Sequence, residues 1–375
     1  MDKKLYTLIG FGLLLLIGTS PVTAQLNNAG DIIQAAATEE GRQDANTLLQ
    51  AYFKPVGNGF GTDLNTGWFN TAKPHSVLGF DLTVSASVAR VPGADRSFNV
   101  QELNLKELEY IEEESTSPVT PTAFGPGESN TTLGAYFSYT NPQTGEQQQE
   151  RVEFEMPGGT DVPYVPAPMV QASAGVIKGT DVTVRYVPPL DLPNDINLDL
   201  WGVGLKHDIT QWLPGGKLIP VNISLQAGYT RLNSSIAFDV DPEQGSDVEN
   251  NYDPSTWEGQ KAAMRSNAFT INALVGKTLP FISFYGGIGY ETSSLTIDTP
   301  GSYPVTVPNE DFPEQSGQPK KIEKIDNPID ISYSDNNSFR GLVGTRIKLA
   351  IFNITASYTL SKYPVGQVGV GFSFR

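Results

Sequence analysis

Beyond residue 75 the chain keeps returning to a period of two. Leu78, Phe80, Leu82, Val84, Ala86 and Val88 alternate with Gly79, Asp81, Thr83, Ser85 and Ser87. The pattern recurs at Val221, Ile223, Leu225, Ala227 and Tyr229, at Phe269, Ile271, Ala273 and Val275, and at Phe352, Ile354, Ala356, Tyr358 and Leu360. Successive side chains of a strand point to opposite faces, so each segment is a strand with one apolar and one polar face. Two architectures use such strands. In a soluble sandwich the apolar face meets a second sheet; in a membrane barrel it meets lipid and the polar face lines a lumen.

Connection lengths separate the two. Strands are expected near 76–91, 131–140, 150–156, 168–177, 180–188, 196–208, 219–232, 265–277, 281–297, 339–350, 352–361 and 365–375. The connections 92–130, 157–167, 189–195, 233–264 and 298–338 then fall on one side, and mostly short ones on the other. Transmembrane barrels have this asymmetry, with short periplasmic turns and long outer loops. The segments 150–156 and 180–188 are marginal against the ~9–11 residues a crossing strand needs. Residues 98–111 add either an outside hairpin or two more strands. The expected fold is therefore all-β: an antiparallel transmembrane β-barrel of about 12–14 strands over residues 76–375.

Residues 1–24 read as a signal peptide. Lys3 and Lys4 precede an apolar run from Leu5 to Gly18, and Val22-Thr23-Ala24 supplies small residues at a cleavage site before Gln25. The run is shorter than the ~20 residues of a spanning helix. Residues 25–75 form an entry segment. Asp31 is placed to cap a helix, and Ile32, Ala36, Leu48, Leu49, Tyr52 and Phe53 recur near helical spacing until Pro55 and Gly57 stop the pattern. Gly41 divides it, giving one or two short helices. The glycine- and asparagine-rich stretch from Val56 to His75 is then expected to be irregular, while its aromatics Phe60, Trp68 and Phe69 need burial. It is either a linker or a plug folded into a cavity made by the rest of the chain, against or inside the periplasmic mouth.

Composition excludes whole classes of function. There is no cysteine, which rules out disulfides, a thiolate zinc site, a thiol nucleophile and a lipidated anchor. Two histidines, His75 and His207, are too few for a His-rich metal centre. The formal charge of −16 argues against nucleic acid. No cofactor, metal or catalytic residue is expected. His207 beside Lys206 and Asp208 is read as interfacial or hydrogen-bonded, not as a hydrolase base, and His75 likewise. The glycine patterns GVGLK, GGIGY and GVGVG sit inside strands, where they relieve crowding or let a barrel curve. Acidic runs at Glu107, Glu109, Glu112, Glu113 and Glu114, and at Asp239, Asp241, Glu243, Asp247, Glu249 and Asp253, are read as solvated outer loops. Asp181 and Arg185 share the polar phase of one strand, and Arg340, Arg346 and Lys348 that of another, so all five should face the lumen as paired ladders.

Several stretches carry a resemblance: NGFGTDLNTGWFNTAKPH running into LGFDLTVSAS, SPVTPTAFGPG, YVPAPMVQASAGVIKGTDVTVRYVPPL and GVGLKHDITQWLPGGKLIPVNISLQAGYT. They resemble an uncharacterised family of exported Bacteroidota proteins, a domain of unknown function. A weaker similarity runs to FadL-type long-chain fatty-acid transporters, barrels whose N-terminal segment plugs the lumen. It implies outer-membrane location in a Gram-negative bacterium and passage of a small hydrophobic or amphipathic solute. The second hypothesis is a non-transporting barrel that docks periplasmic or secretion-machinery partners. The final strand, with Val368, Val370, Phe372 and Phe374 on one face, looks like the signal read by the outer-membrane assembly machinery. Transport predicts an apolar pocket between plug and wall; a scaffold predicts a filled lumen.

Overall fold

The computed structural model describes residues 29–140, 147–192, 195–214, 218–242, 248–249, 253–257, 259–309 and 320–374. The expected signal peptide and its cleavage site, and Glu243 and Asp247 of the second acidic run, lie outside the described residues.

Ten antiparallel strands close into a barrel. They are β1 (Phe80–Arg90), β2 (Tyr164–Ile177), β3 (Thr180–Leu192), β4 (Ile196–Asp208), β5 (Asn222–Ala237), β6 (Lys261–Thr278), β7 (Ile282–Asp298), β8 (Asp330–Leu349), β9 (Phe352–Leu360) and β10 (Val365–Phe374). Each pairs with its neighbour in sequence, and β1 closes the ring on β10 in a register from Phe80 opposite Phe374 to Ala89 opposite Val365. Closure leaves no unpaired edge, which is what allows strands to stand in lipid. Where β3 carries Pro188 and Pro189, its register with β4 shifts between Val187 and Leu190, the bulge that proline without an N–H requires.

The ring is inside out relative to a soluble protein. In β1 Asp81, Thr83 and Ser85 are buried, while Phe80, Leu82 and Val84 are nearly half exposed on the outer surface. Leu225, Ile271, Val275, Ile354, Val368 and Val370 lie on the same outer surface. An apolar belt facing outward around a polar interior suits a hydrocarbon solvent, in which outward leucine costs nothing and inward serine and threonine find partners.

The strand count differs from expectation. Residues 132–140 and 147–155 are strands, but they pair with each other and with 108–110 in a separate sheet. Their Leu133, Ala135 and Phe154 are buried in a cluster with Ile32, Leu48 and Tyr52, so their apolar face meets protein and not lipid. Removing this pair from the twelve expected strands leaves ten. Residues 97–99 pair with 119–121, also outside the ring, and 302–308, 320–326 and 248–249 form another small sheet. These sheets stand on the end of the barrel that carries the connections 91–163, 238–260 and 299–329. The opposite end has the connections 178–179, 209–221, 279–281 and 350–351.

The entry segment differs more. α1 (Ala29–Ala35) is followed by α2 (Glu39–Asn65), a helix of 27 residues that runs straight through Pro55 and Gly57. Thr38 caps its start by accepting from Gly41 N–H at 2.9 Å, and Glu39 and Glu40 complement the positive end of the dipole. Glycines cost a helix about 1 kcal/mol each in water, and an interior proline more. Residues 55–59 are buried, so an unwound backbone there would lose its hydrogen-bond partners, and the helical hydrogen bonds are kept. The glycines also thin the helix. A methyl at Gly57 would lie 3.2 Å from Leu295 Cβ, and one at Gly59 would overlap Val165.

Placing a charge on the outer belt tests the lipid assignment. Leu225→Arg or Ile271→Arg should lower stability in detergent or lipid by roughly 2–4 kcal/mol, whereas Glu112→Arg in an exposed connection should change it little. Equal tolerance at all three positions in chemical unfolding would remove the membrane-facing assignment.

Candidate functional site, the occupied lumen

The last carbonyls of a helix have no intrahelical partner and carry partial negative charge. α2 ends at Asn65 level with the middle of the strands, and two wall arginines meet it there. Arg185 of β3 donates through Nη1 to the Leu64 carbonyl and through Nη2 to the Thr66 carbonyl, both at 2.6 Å, and through Nε to Gln171 Oε1 at 3.1 Å. Arg340 of β8 donates through Nη1 to the Asn65 carbonyl at 2.9 Å and to Glu291 Oε2 at 3.0 Å. Its Nη2 reaches Thr66 Oγ1 at 3.2 Å and Thr359 Oγ1 at 3.3 Å. Arg185 is 0% exposed. Its guanidinium carbon also sits 3.7 Å from the centroid of the Trp68 ring, a cation–π contact that gains strength from desolvation.

Trp68 lies in a slot cut from the wall. Gly204 of β4 pairs directly with Gly228 of β5, and Gly202 is two residues along. A methyl at Gly204 would sit 2.6 Å from Trp68 Cε3, one at Gly202 would be 3.1 Å from Cη2, and one at Gly228 would overlap the indole. The glycines of GVGLK thus shape a seat for one side chain of the plug. Phe69 meets Tyr285 edge to face, with ring centroids 5.6 Å apart, beside Ala72, Leu274 and Leu342. Phe60 is partly buried where three apolar clusters converge, among them those of Leu64 with Val187 and of Val165 with Tyr363.

The chain after Trp68 is held at the short-turn mouth by charge. Arg346 donates to Asn70 Oδ1 at 3.1 Å and to Ser373 Oγ at 2.7 Å, and Asn70 donates to Asp81 Oδ2 at 3.0 Å. Lys206 donates to the Thr71 carbonyl and lies 3.1 Å from Asp181 Oδ2. Ser224 donates to the Ala72 carbonyl at 2.6 Å. His75 completes the set: its N–H donates to Asp181 Oδ1 at 2.8 Å, its Nδ1 lies 3.0 Å from Asp181 Oδ2, and its Nε2 lies 3.1 Å from Asp81 Oδ2. Both ring nitrogens face carboxylates, an arrangement that suits the imidazolium. Burial works against that cation, but the Asp181 hydrogen bond and the two carboxylate charges outweigh it, so the His75 pKa is raised.

The five charges singled out from alternation thus separate. Asp181, Arg185, Arg340 and Arg346 all touch the plug, while Lys348 is half-buried on the same phase near the strand end, its N–H bonded to the Phe281 carbonyl at 2.8 Å. Lys206, Asp81 and Glu291 belong to the site and were not singled out. Their inward phase was legible, but Asp81 and Lys206 take partners in the plug, whose path was not, and Glu291 is tied to Arg340 on the wall. His207 is bonded elsewhere, through Nδ1 to Thr180 Oγ1 at 2.8 Å and through Nε2 from Trp212 Nε1 at 2.9 Å. The plug also runs the full length of the lumen and is not confined to the short-turn mouth. It reaches further than expected because α2 continues through Pro55 to Asn65.

Fold and site together define a membrane-spanning β-barrel whose lumen holds its own N-terminal segment. The chain belongs to DUF6588, a family of unknown function whose model matches residues 1–374. None of the curated proteins matches it. Among solved structures, it is similar to the translocator domain of autotransporter NalP from Neisseria meningitidis at 12% identity and TM-score 0.28, covering 88% of this chain and 97% of that one. It is similar to Ail, the attachment invasion locus protein of Yersinia pestis, at 10% identity and TM-score 0.24, covering 80% and 100%. A Pseudomonas aeruginosa FadL homologue follows at 10% identity and TM-score 0.20, covering 84% and 96%.

The seat for Trp68 predicts a coupled pair. Gly228→Ala should cost about 1–3 kcal/mol by overpacking and Trp68→Ala about 3–5 kcal/mol by leaving a cavity. Combined, they should cost less than the sum, because the second change empties the space the first one fills. Strict additivity in detergent unfolding would place Trp68 outside the slot.

His75 predicts a pH dependence. A raised pKa in the fold means its stabilisation is complete below the ordinary imidazole value of about 6.5 and is lost as pH rises through the raised value. The melting temperature should therefore fall as pH increases through that window, and His75→Gln should flatten the profile. An unchanged slope in the variant would assign the titration to another group.

Proposed function

We propose that this protein is an outer-membrane barrel that does not pass solute, and that it anchors and presents the folded assembly on its long-connection end. The observation that carries this reading is the occupied lumen. α2 and the residues after it run its full length, held by Arg185, Arg340, Arg346 and Lys206 from the wall. The outward apolar belt supports the membrane assignment, with outer-membrane lipid as its solvent. Of the two expectations drawn from sequence, the filled lumen favours the scaffold over passage of a hydrophobic or amphipathic solute. A helix with side chains is about 10–12 Å across, which accounts for the interior of so small a ring.

Assembly fits the same picture. β10 closes the ring, and its Phe372 and Phe374 point outward, with Phe374 stacked on Phe80 at 5.1 Å between centroids. An aromatic, outward-facing last strand is what the outer-membrane assembly machinery would read, and export through the N-terminal signal would bring the chain to it. Periplasmic partners would meet the opposite, short-turn end.

The reading is tested by reconstituting the whole protein into planar bilayers and sugar-loaded liposomes. The expected outcome is no stepwise conductance and no swelling above protein-free controls. Gly57→Cys with Leu295→Cys, in a chain that has no other cysteine, would tie plug to wall and should change nothing. Conductance or uptake in the intact protein that the cross-link abolishes would restore the passage reading.

A further inference from the structure

The plug has a direction, and the direction places one end of the chain. Its contacts progress steadily from one mouth to the other. Ile33 of α1 packs with Tyr303, Val305 and Ile325, all in the connection 299–329. Gln34 exchanges hydrogen bonds with the Thr306 backbone at 2.7 and 2.8 Å. Asp44, in the second turn of α2, accepts from the N–H groups of Lys106, Glu107 and Leu108 in the connection 91–163, at 2.6–2.9 Å. Tyr52 donates to the Gly158 carbonyl at 2.9 Å, still beyond the strand ends.

Further along, the partners move down the wall. Asp63 accepts from Ala89 N–H near the far end of β1, and Asn65 donates to the Thr292 carbonyl. Trp68 is against Gly204 and Gly228, Ala72 is against Ser224, and His75 is against Asp181, the second residue of β3 after the 178–179 turn. The helix alone, 27 residues long, spans about 40 Å, against an apolar belt of about 25 Å on a barrel of this kind. Its first turns must therefore stand outside the membrane on the long-connection side.

We propose that the N-terminal part of the plug, α1 and the first turns of α2, is displayed on the outer surface of the cell. The chain enters the lumen from outside and leaves it at the periplasmic mouth, where β1 begins. This rests on the reading of the protein as an outer-membrane barrel, whose short turns face the periplasm. α1 is then part of the exposed face available to external partners, together with the small sheets around it.

The absence of cysteine allows a direct test in whole cells with the full-length protein. Asp31, Glu40, Glu112 and Lys178 are all exposed. Single variants Asp31→Cys, Glu40→Cys, Glu112→Cys and Lys178→Cys are each treated with a membrane-impermeant maleimide, before and after permeabilising the outer membrane. Glu112→Cys marks the long-connection end and Lys178→Cys the short-turn end. The expected result is that Asp31→Cys, Glu40→Cys and Glu112→Cys label fully on intact cells, and Lys178→Cys labels at least tenfold more after permeabilisation. If Asp31→Cys and Glu40→Cys behave like Lys178→Cys while Glu112→Cys labels on intact cells, the proposal is overturned and the barrel reading stands. If Lys178→Cys labels on intact cells and Glu112→Cys does not, the barrel is inverted and the display is wrong. Recovery of all four variants in the soluble fraction would overturn the outer-membrane reading itself.

Discussion

Two guanidinium groups at the end of one helix organise the interior. α2 terminates in a low-dielectric space where its last carbonyls would otherwise go unpartnered, at a cost of several kcal/mol for each such group. Arg185 and Arg340 reach these carbonyls from opposite parts of the sequence and fix where the helix must stop. The arginines need the helix as much as it needs them. Arg185 donates to the Leu64 and Thr66 carbonyls and lies on the face of Trp68, so removing the plug would leave this cation with only Gln171 and Thr230 of the wall. The wall is therefore built around an occupant, and the glycine seat for Trp68 is the same statement made in shape instead of charge.

Ten of the twelve strands read from alternation are barrel strands, and their polar phase faces inward. Alternation is a property of any strand with two different sides, so it could not tell which strands face lipid and which cover a helix. Leu133, Ala135 and Phe154 obey the same rule as Leu82 and Val84 and are buried against protein. Length discriminated no better: 150–156 was short for a crossing and stands outside the ring, but 180–188 was equally marginal and is β3 of the ring, while 131–140 was long enough and is not in it.

The plug was legible in its need for burial and illegible in its form. Phe60, Trp68 and Phe69 lacked a core of their own, which pointed to the lumen. The glycines and Pro55 argued for irregular backbone because helix propensities describe chains in water. In the lumen the balance shifts toward internal hydrogen bonds, and the same glycines let the helix approach Val165 and Leu295. The charged contacts were half legible: the wall supplied Asp181, Arg185, Arg340 and Arg346 in phase, but their partners are backbone carbonyls and side chains of a segment far away in sequence.

The pairing scheme constrains the order of events when the chain folds. Within the ring every strand contact is between ring strands consecutive in sequence except the seam of β1 with β10, whereas the plug binds β3, β5, β7 and β8. Non-local contacts of this kind are slow to form because the intervening chain must first be brought together. A seam sealed early would leave the segment from Ala29 to His75 to be drawn through a finished ring lined with uncompensated arginines. The route with the lower barrier gathers the strands around the helix as around a mandrel and seals the seam last, which makes the plug a template for the ring as well as its stopper.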